Sequence, residues 1–272
     1  SFLSEHEALQ ELDKVNELIN WSRIEKKLGG IYNKKTGCPA YSPLLMFKVL
    51  LLQAWYNLSD PGMEKQLARD LLFKRFTGLS LGDSVPDHST IWRFREQINK
   101  QRLLPVLLKE FNQQLNEAGM MIKEGALNIV DATVIEAHQS RPNKNSKGEI
   151  TQDPEAGYNV KTNAQGERKT TYGFKGHVNV DEEGFIQTMA YSAGNRHDSL
   201  FLDDLVSATE GLVYADSAYK SRKHDRLLGE RNRIHERAYR NKQLTKEQKQ
   251  KNKEKSRIRS GVERVFGQLK LH

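Results

Sequence analysis

Cysteine is nearly absent from this chain: Cys38 is the only one, which excludes an internal disulfide and a cysteine-built zinc site. A reducing, cytoplasmic setting is the expectation. No apolar run approaches the roughly 20 residues that a membrane helix needs. The most apolar stretch, Leu44 to Trp55, is interrupted by Lys48 and Gln53 and reads as a buried helix. The first residues, SFLSEHEALQ, lack the basic start and apolar centre of a secretory signal, so export is not expected. Eight histidines are scattered without a His-x-x-x-His or Cys/His spacing, which leaves no zinc motif. Acid is also in deficit, with 35 Asp plus Glu against 43 Lys plus Arg and an isoelectric point near 9.4. Such a surface suits a polyanion, or is simply a solvated basic face.

What is present divides at about residue 120. From Glu5 to Gly119 the apolar spacing is helical, as in Leu9, Leu12, Val15, Leu18 and Ile19. Within it, PDHSTIWRFR offers Asp87 or Ser89 as the cap of a helix carrying Trp92, Arg93, Phe94 and Arg95. Arg93 and Arg95 could read DNA from such a helix; alternatively, Trp92 and Phe94 pack inward and the arginines are solvated.

After Gly119 the pattern becomes α/β. LNIVDATVI, 127 to 135, predicts a central strand apolar on both faces. Two further strands are expected at 174–180 and 185–192, joined by a turn over Asp181, Glu182, Glu183 and Gly184 that reads as solvated. A helix at about 199–209, a strand at 212–215, a helix at 221–229, a strand at 233–238 and a long helix at 244–269 complete the order. The polar segment 136–172 reads as a long, mobile insertion.

Three acids stand where a metal-assisted phosphodiester chemistry would need them, on separate elements that can converge. Asp131 lies mid-strand, where an unpaired charge is costly. Asp216 follows the strand LVYA, and Glu263 lies on the final helix. On an unbroken helix Arg259, Glu263 and Lys270 share an arc of roughly 40°, beside an apolar face of Ile258, Val262, Val265 and Leu269. The cations could flank the carboxylate for phosphate oxygens, or Arg259 and Glu263 form an ordinary intrahelical pair. Glu136 is a further candidate ligand, and His197-Asp198 reads as a helix cap. Between Arg237 and Arg259 there are ten Lys or Arg, including Lys255 and Arg257, and only two acids. That run is a candidate phosphate-tracking surface, or a solvated helix.

The blocks VDAT at 130–133, YADSAY at 214–219 and RSGVERVFGQLK at 259–270 resemble the signatures of insertion-sequence transposases of the IS-five group, within the wider IS-four type. WYNLSD, PDHSTIWRFR, YGFKGHVNVD and GNRHDS are similar to the group as well, so the likeness spans most of the chain. The group's Arg, Glu and Lys positions are met by Arg259, Glu263 and Lys270, while the tyrosine three residues before the Arg is replaced by Ser256. Such transposases usually continue beyond the point corresponding to His272, an expectation that bears on the last helix and on assembly.

The resemblance implies an RNase H-like mixed sheet flanked by helices at 121–272, preceded by an all-helical DNA-binding or assembly domain at 1–120. It implies a DNA transposase with Asp131, Asp216 and Glu263 as catalytic and metal-binding residues. Two Mg²⁺ ions, or Mn²⁺ in their place, would serve cutting of element ends in double-stranded DNA and joining to a target. A homodimer or higher assembly associated with the nucleoid is implied too. An RNase H-like nuclease that cuts without joining, and a non-catalytic DNA-binding protein derived from a transposase, are the alternatives.

Overall fold

A computed structural model of the chain describes residues 6–32, 41–120, 127–137, 143–162, 165–206, 211–239 and 243–271, with side chains as far as 267. Cys38 and the side chain of Lys270 lie outside the described residues. The chain divides into two compact units, Ser1–Ile122 and Lys123–Leu271.

In the first unit every regular element among the described residues is helical. Seven α-helices follow a short 3₁₀ turn: α1 (Asp13–Leu18), α2 (Trp21–Leu28), α3 (Pro43–Trp55), α4 (Asp60–Arg69), α5 (Leu71–Thr77), α6 (His88–Lys100) and α7 (Leu103–Glu117). Their ends follow from local chemistry. The Asp70 carboxylate accepts from the N–H groups of Leu72 and Phe73 at the start of α5, and Gly78, at φ 81°, closes its end in the left-handed conformation. Asp87, one of the two caps the sequence offers, caps α6 by accepting from Thr90 N–H at 2.6 Å. The apolar stripes meet in one core that includes Ile24, Met46, Leu52, Leu67, Phe73, Ile91 and Phe94. Lys48, the interruption in α3, keeps its charge solvated by protein: Nζ donates to Asn16 Oδ1 at 2.8 Å and Phe76 O at 3.0 Å, over the rings of Trp21 and Phe76.

The second unit is a mixed α/β assembly. Its strands are β1 (Leu127–Glu136), β2 (Gly157–Thr162), β3 (Arg168–Asp181), β4 (Ile186–Ala193) and β5 (Leu212–Ala215). They make a five-stranded sheet in the order β2-β3-β1-β5, with β4 also paired to β3. Only β1 and β5 run parallel; the other pairings are antiparallel. The helices are α8 (Leu202–Leu205), α9 (Arg222–Leu228), α10 (Lys246–Arg259) and α11 (Gly261–Leu271).

Both faces of β1 are covered, as its continuous apolar character predicts. Ile129, with Val178 and Val180 of β3, packs on Val262, Val265 and Phe266 of α11. On the other side Val130, Val213 and Ala215 pack with Leu202, Leu205, Tyr219, Leu228 and Ile234.

Four expectations are corrected. The segment 136–172 holds β2 and the first part of β3, paired from Gly157↔Gly173 to Thr162↔Arg168. Its polar composition conceals a pairing that only the partner strand reveals. The segment 233–238 is not a strand: it follows β5 through a bridge at Asn232 and two hydrogen bonds, Arg233 N–H to Val213 O and His235 N–H to Ala215 O. The expected long helix is two, α10 and α11, with Ser260 between them. Finally, Asp181 is not a solvated turn residue. It is 2% exposed and organises the β3–β4 turn, Oδ1 accepting from the N–H groups of Glu183, Gly184 and Phe185 and Oδ2 from the Gln187 amide. Its neighbours Glu182 and Glu183 are exposed.

Candidate catalytic site

β5 ends at Ala215 beside Val130, while β1 runs on, so Asp131 lies just past the end of its parallel neighbour. Asp216 follows β5 directly. It caps a 3₁₀ turn, Ser217–Tyr219, with Oδ1 accepting from Ala218 N–H at 2.7 Å. The parallel pairing therefore brings two acids together that are far apart in the chain. Burial pushes the Asp131 carboxyl above the ordinary aspartate value; the Arg259 charge pulls it down, and the Asp216 charge adds to the rise.

Arg259, the last residue of α10, reaches across to β1: its Nη2 donates to Asp131 Oδ2 at 2.8 Å. Both side chains are about one-fifth exposed, at 20% and 21%. Asp131 Oδ1 takes the N–H of Ala132 at 2.9 Å. Arg259 is thus engaged with Asp131, in a third arrangement beside the two that the helical spacing offered.

Two groups that the sequence does not single out stand close by. The buried hydroxyl of Tyr219 has no hydrogen-bond partner among the described residues. Burial raises its pKa well above the usual phenol value, with Asp198, Asp131 and Asp216 pushing the same way. His235 is held below the ordinary histidine value by burial and by the charges of Arg259 and Lys255, against an opposing pull from Asp216. Tyr219 falls inside the YADSAY block, a usable signal; His235 is a lone histidine with none.

Glu263 is exposed on α11, next to Val262, which packs beneath it against β1. Among the described residues no group of three or more His, Cys, Asp or Glu side chains is placed to hold a metal ion. Asp131 and Asp216 form a two-carboxylate donor set, all oxygen and partly desolvated, whose mutual repulsion a hard divalent cation would relieve. These residues fit one such ion.

The remaining candidates separate by environment. Arg257 and Arg93 are exposed. Lys255 is half-buried and donates to Ile234 O at 2.8 Å. Arg95 is tied to Gln53 and to both oxygens of Asp60. Phe94 is core while Trp92 stays 53% exposed, so the two aromatics of PDHSTIWRFR part company. Glu136 is exposed at the end of β1, 3.9 Å from Lys169. His197 acts as the expected cap, its Nδ1 accepting from Ser199 N–H, whereas Asp198 pairs with Lys175 at 2.8 Å.

No helix among the described residues is long and apolar enough to cross a membrane. Residues 2–97 match a family model described as a transposase domain (DUF772). Residues 123–272 match one described as the transposase DDE domain. No solved structure matches the chain. The model that contains Asp131, Asp216 and Glu263 covers more than half of the sequence, and the chain belongs to the DDE transposase family.

Proposed function

We propose that this protein is a DNA transposase of the insertion-sequence type, which cuts element ends and joins them to target DNA at the site built around Asp131 and Asp216. The observation that carries the reading is the meeting of these two acids, one inside β1 and one just after β5, within the segment that matches the DDE domain.

In this reading Asp131, Asp216 and Glu263 hold Mg²⁺ or Mn²⁺, with Glu263 supplied by the helix that docks on β1. Divalent ions when bound lower the pKa of an attacking water or 3'-hydroxyl and stabilise the leaving oxygen. The chain's own contribution is orientation and charge. The β1–β5 pairing presents Asp131 and Asp216 side by side, and the covered sheet holds them in a poorly solvated position where electrostatic interactions are strong. The scissile phosphate is attracted by the cationic run along α10, whose outer side carries Lys246, Lys249, Lys253 and Arg257, all exposed. Lys270 and, in the first unit, the exposed Arg93 are separate DNA contacts in this proposal. No protein–DNA covalent intermediate is required.

An RNase H-like catalytic unit, an N-terminal unit for DNA binding or assembly, and a homodimer or higher oligomer are part of the same proposal. The test is incubation of the full chain with end-containing duplex DNA and Mg²⁺ or Mn²⁺. Nicks bearing 3'-hydroxyl termini, followed by joined products from pre-cut ends, are expected. Cuts without joined products would reassign the protein to a plain nuclease, and normal cutting by Asp131→Ala or Asp216→Ala would remove the site from these residues.

A further inference from the structure

We propose that Arg259 is a built-in competitor for the cation: its guanidinium occupies the charge position on Asp131 that a divalent ion takes, so ion binding and release of the Arg259–Asp131 pair are one event. The inference rests on the site assignment above and adds a residue that regulates it.

Three observations converge. First, the contact is direct and specific: Arg259 Nη2 lies 2.8 Å from Asp131 Oδ2, while Oδ1 is already held by Ala132 N–H at 2.9 Å. The oxygen that faces the helix junction is therefore the one Arg259 covers. A cation on that oxygen and a guanidinium at hydrogen-bond distance cannot share it without strong repulsion.

Second, the pair is incompletely satisfied. Arg259 Nε is buried without a hydrogen-bond partner among the described residues, and so is Nε2 of His235, whose electrostatic neighbours include Arg259 and Asp216. A guanidinium with all its donors paired would be hard to dislodge; one that leaves a buried N–H without an acceptor is easier to release. Asp131 also feels the charge of Asp216 beside that of Arg259.

Third, Arg259 stands at a joint. It is the last residue of α10, and Ser260 separates it from α11, whose Val262 and Val265 are anchored on Ile129 and Val180. Farther back, α10 is held through Lys255 to Ile234 O at 2.8 Å and through Asn252 to Glu236. The side chain can turn away from Asp131 while both flanking anchors stay in place.

The experiment uses the full chain without DNA. Mn²⁺ binding is measured by titration calorimetry and by the electron paramagnetic resonance of free Mn²⁺, for the natural protein, Arg259→Gln, Arg259→Lys and Asp131→Asn. Arg259→Gln is expected to bind Mn²⁺ about tenfold more tightly than the natural chain, within the usual range of a coupling between two sites. Arg259→Lys should stay near the natural value, and Asp131→Asn should lose the site. Equal or weaker binding by Arg259→Gln, with loss in Asp131→Asn, overturns the competition and leaves the metal assignment standing. No Mn²⁺ binding in any chain overturns both. A second readout needs no substitution: the Arg259 Nε–H resonance should be protected from solvent exchange without the ion and lose that protection as Mg²⁺ is added. Protection that persists at saturating Mg²⁺ also overturns the proposal.

Discussion

Gly194 donates its backbone N–H to the carbonyl oxygen of Gly173 over 2.9 Å, and neither position has room for a side chain. A Cβ on Gly173 would stand 2.1 Å from Ile135 O and 2.9 Å from Ala137 N, backbone atoms at and just past the end of β1, the strand whose middle carries Asp131. Gly173→Ala is expected to cost about 3 kcal/mol or more, because backbone cannot yield as a side chain does. Gly176→Ala, whose Cβ would meet the Ile135, Tyr191 and Thr133 side chains at 3.5, 3.6 and 3.9 Å, should be nearly neutral. Urea midpoints of the two variants check the contrast.

Asp181→Ala removes a buried carboxylate that accepts from three backbone N–H groups of the turn and from the Gln187 amide. A loss on the order of 3 kcal/mol is expected, from several partly buried donors losing one shared acceptor. Asp181→Asn keeps one accepting oxygen and should recover a large part of it. Thermal unfolding of both variants measures the difference; equal loss in the two would contradict the role given to Oδ1.

Asp216→Asn retains an oxygen to cap Ala218 N–H while removing the negative charge beside Asp131. Stability should hold or rise slightly, since functional sites trade stability for charge crowding. Cutting should fall more than about a hundredfold, beyond what loss of a supporting group alone costs. Single-turnover cleavage together with the melting temperature reads both effects.

Arg93 and Arg95, separated by Phe94 in the motif, predict opposite phenotypes. Arg95 is half-buried on Asp60 and Gln53, so Arg95→Ala should lower stability by about 1–3 kcal/mol through the stranded Asp60 charge. Exposed Arg93 holds no such place. Arg93→Ala should leave stability unchanged and, if the residue meets a phosphate, reduce the salt slope of DNA binding by about one.

His177 is fully buried, stacked on Phe201 at 4.2 Å, with Nε2 against Ser192 Oγ at 2.8 Å. Burial holds its pKa below the ordinary histidine value; Asp198 opposes that shift and Lys175 reinforces it. The unfolded chain therefore takes the proton first. Its contribution to stability is fully present above the unfolded value of about 6.5 and is lost as pH falls through the folded one. Denaturation at pH 8 and pH 5 should show the drop, and His177→Gln should flatten it.

The helices of the first unit were readable because their information is local: apolar residues three and four apart, and a cap such as Asp87, act within one or two turns. Asp131 inside an apolar strand and Asp216 just past LVYA were readable for a similar reason, since each stands out against its own neighbours. β2 was not, because Tyr158 and Val160 find their register only against Tyr172 and Thr170. Asp181 hid among acids in a turn whose polarity suggests solvent, and no local pattern records that its N–H partners curl inward around it.

The sequence by itself determined the change from helical to mixed secondary structure near residue 120, the apolar central strand and the places of Asp131 within it and of Asp216 just past LVYA. Tertiary structure alone decided which of those acids meet, that the chain breaks at Ser260 between α10 and α11, and that Arg259 turns to Asp131. The physical reason is that a helix pair depends only on spacing, whereas Arg259 reaches Asp131 only because α11 is pinned on Ile129 and β1 lies between β3 and β5. That placement is the sum of many contacts between distant segments, none of them visible from either partner alone.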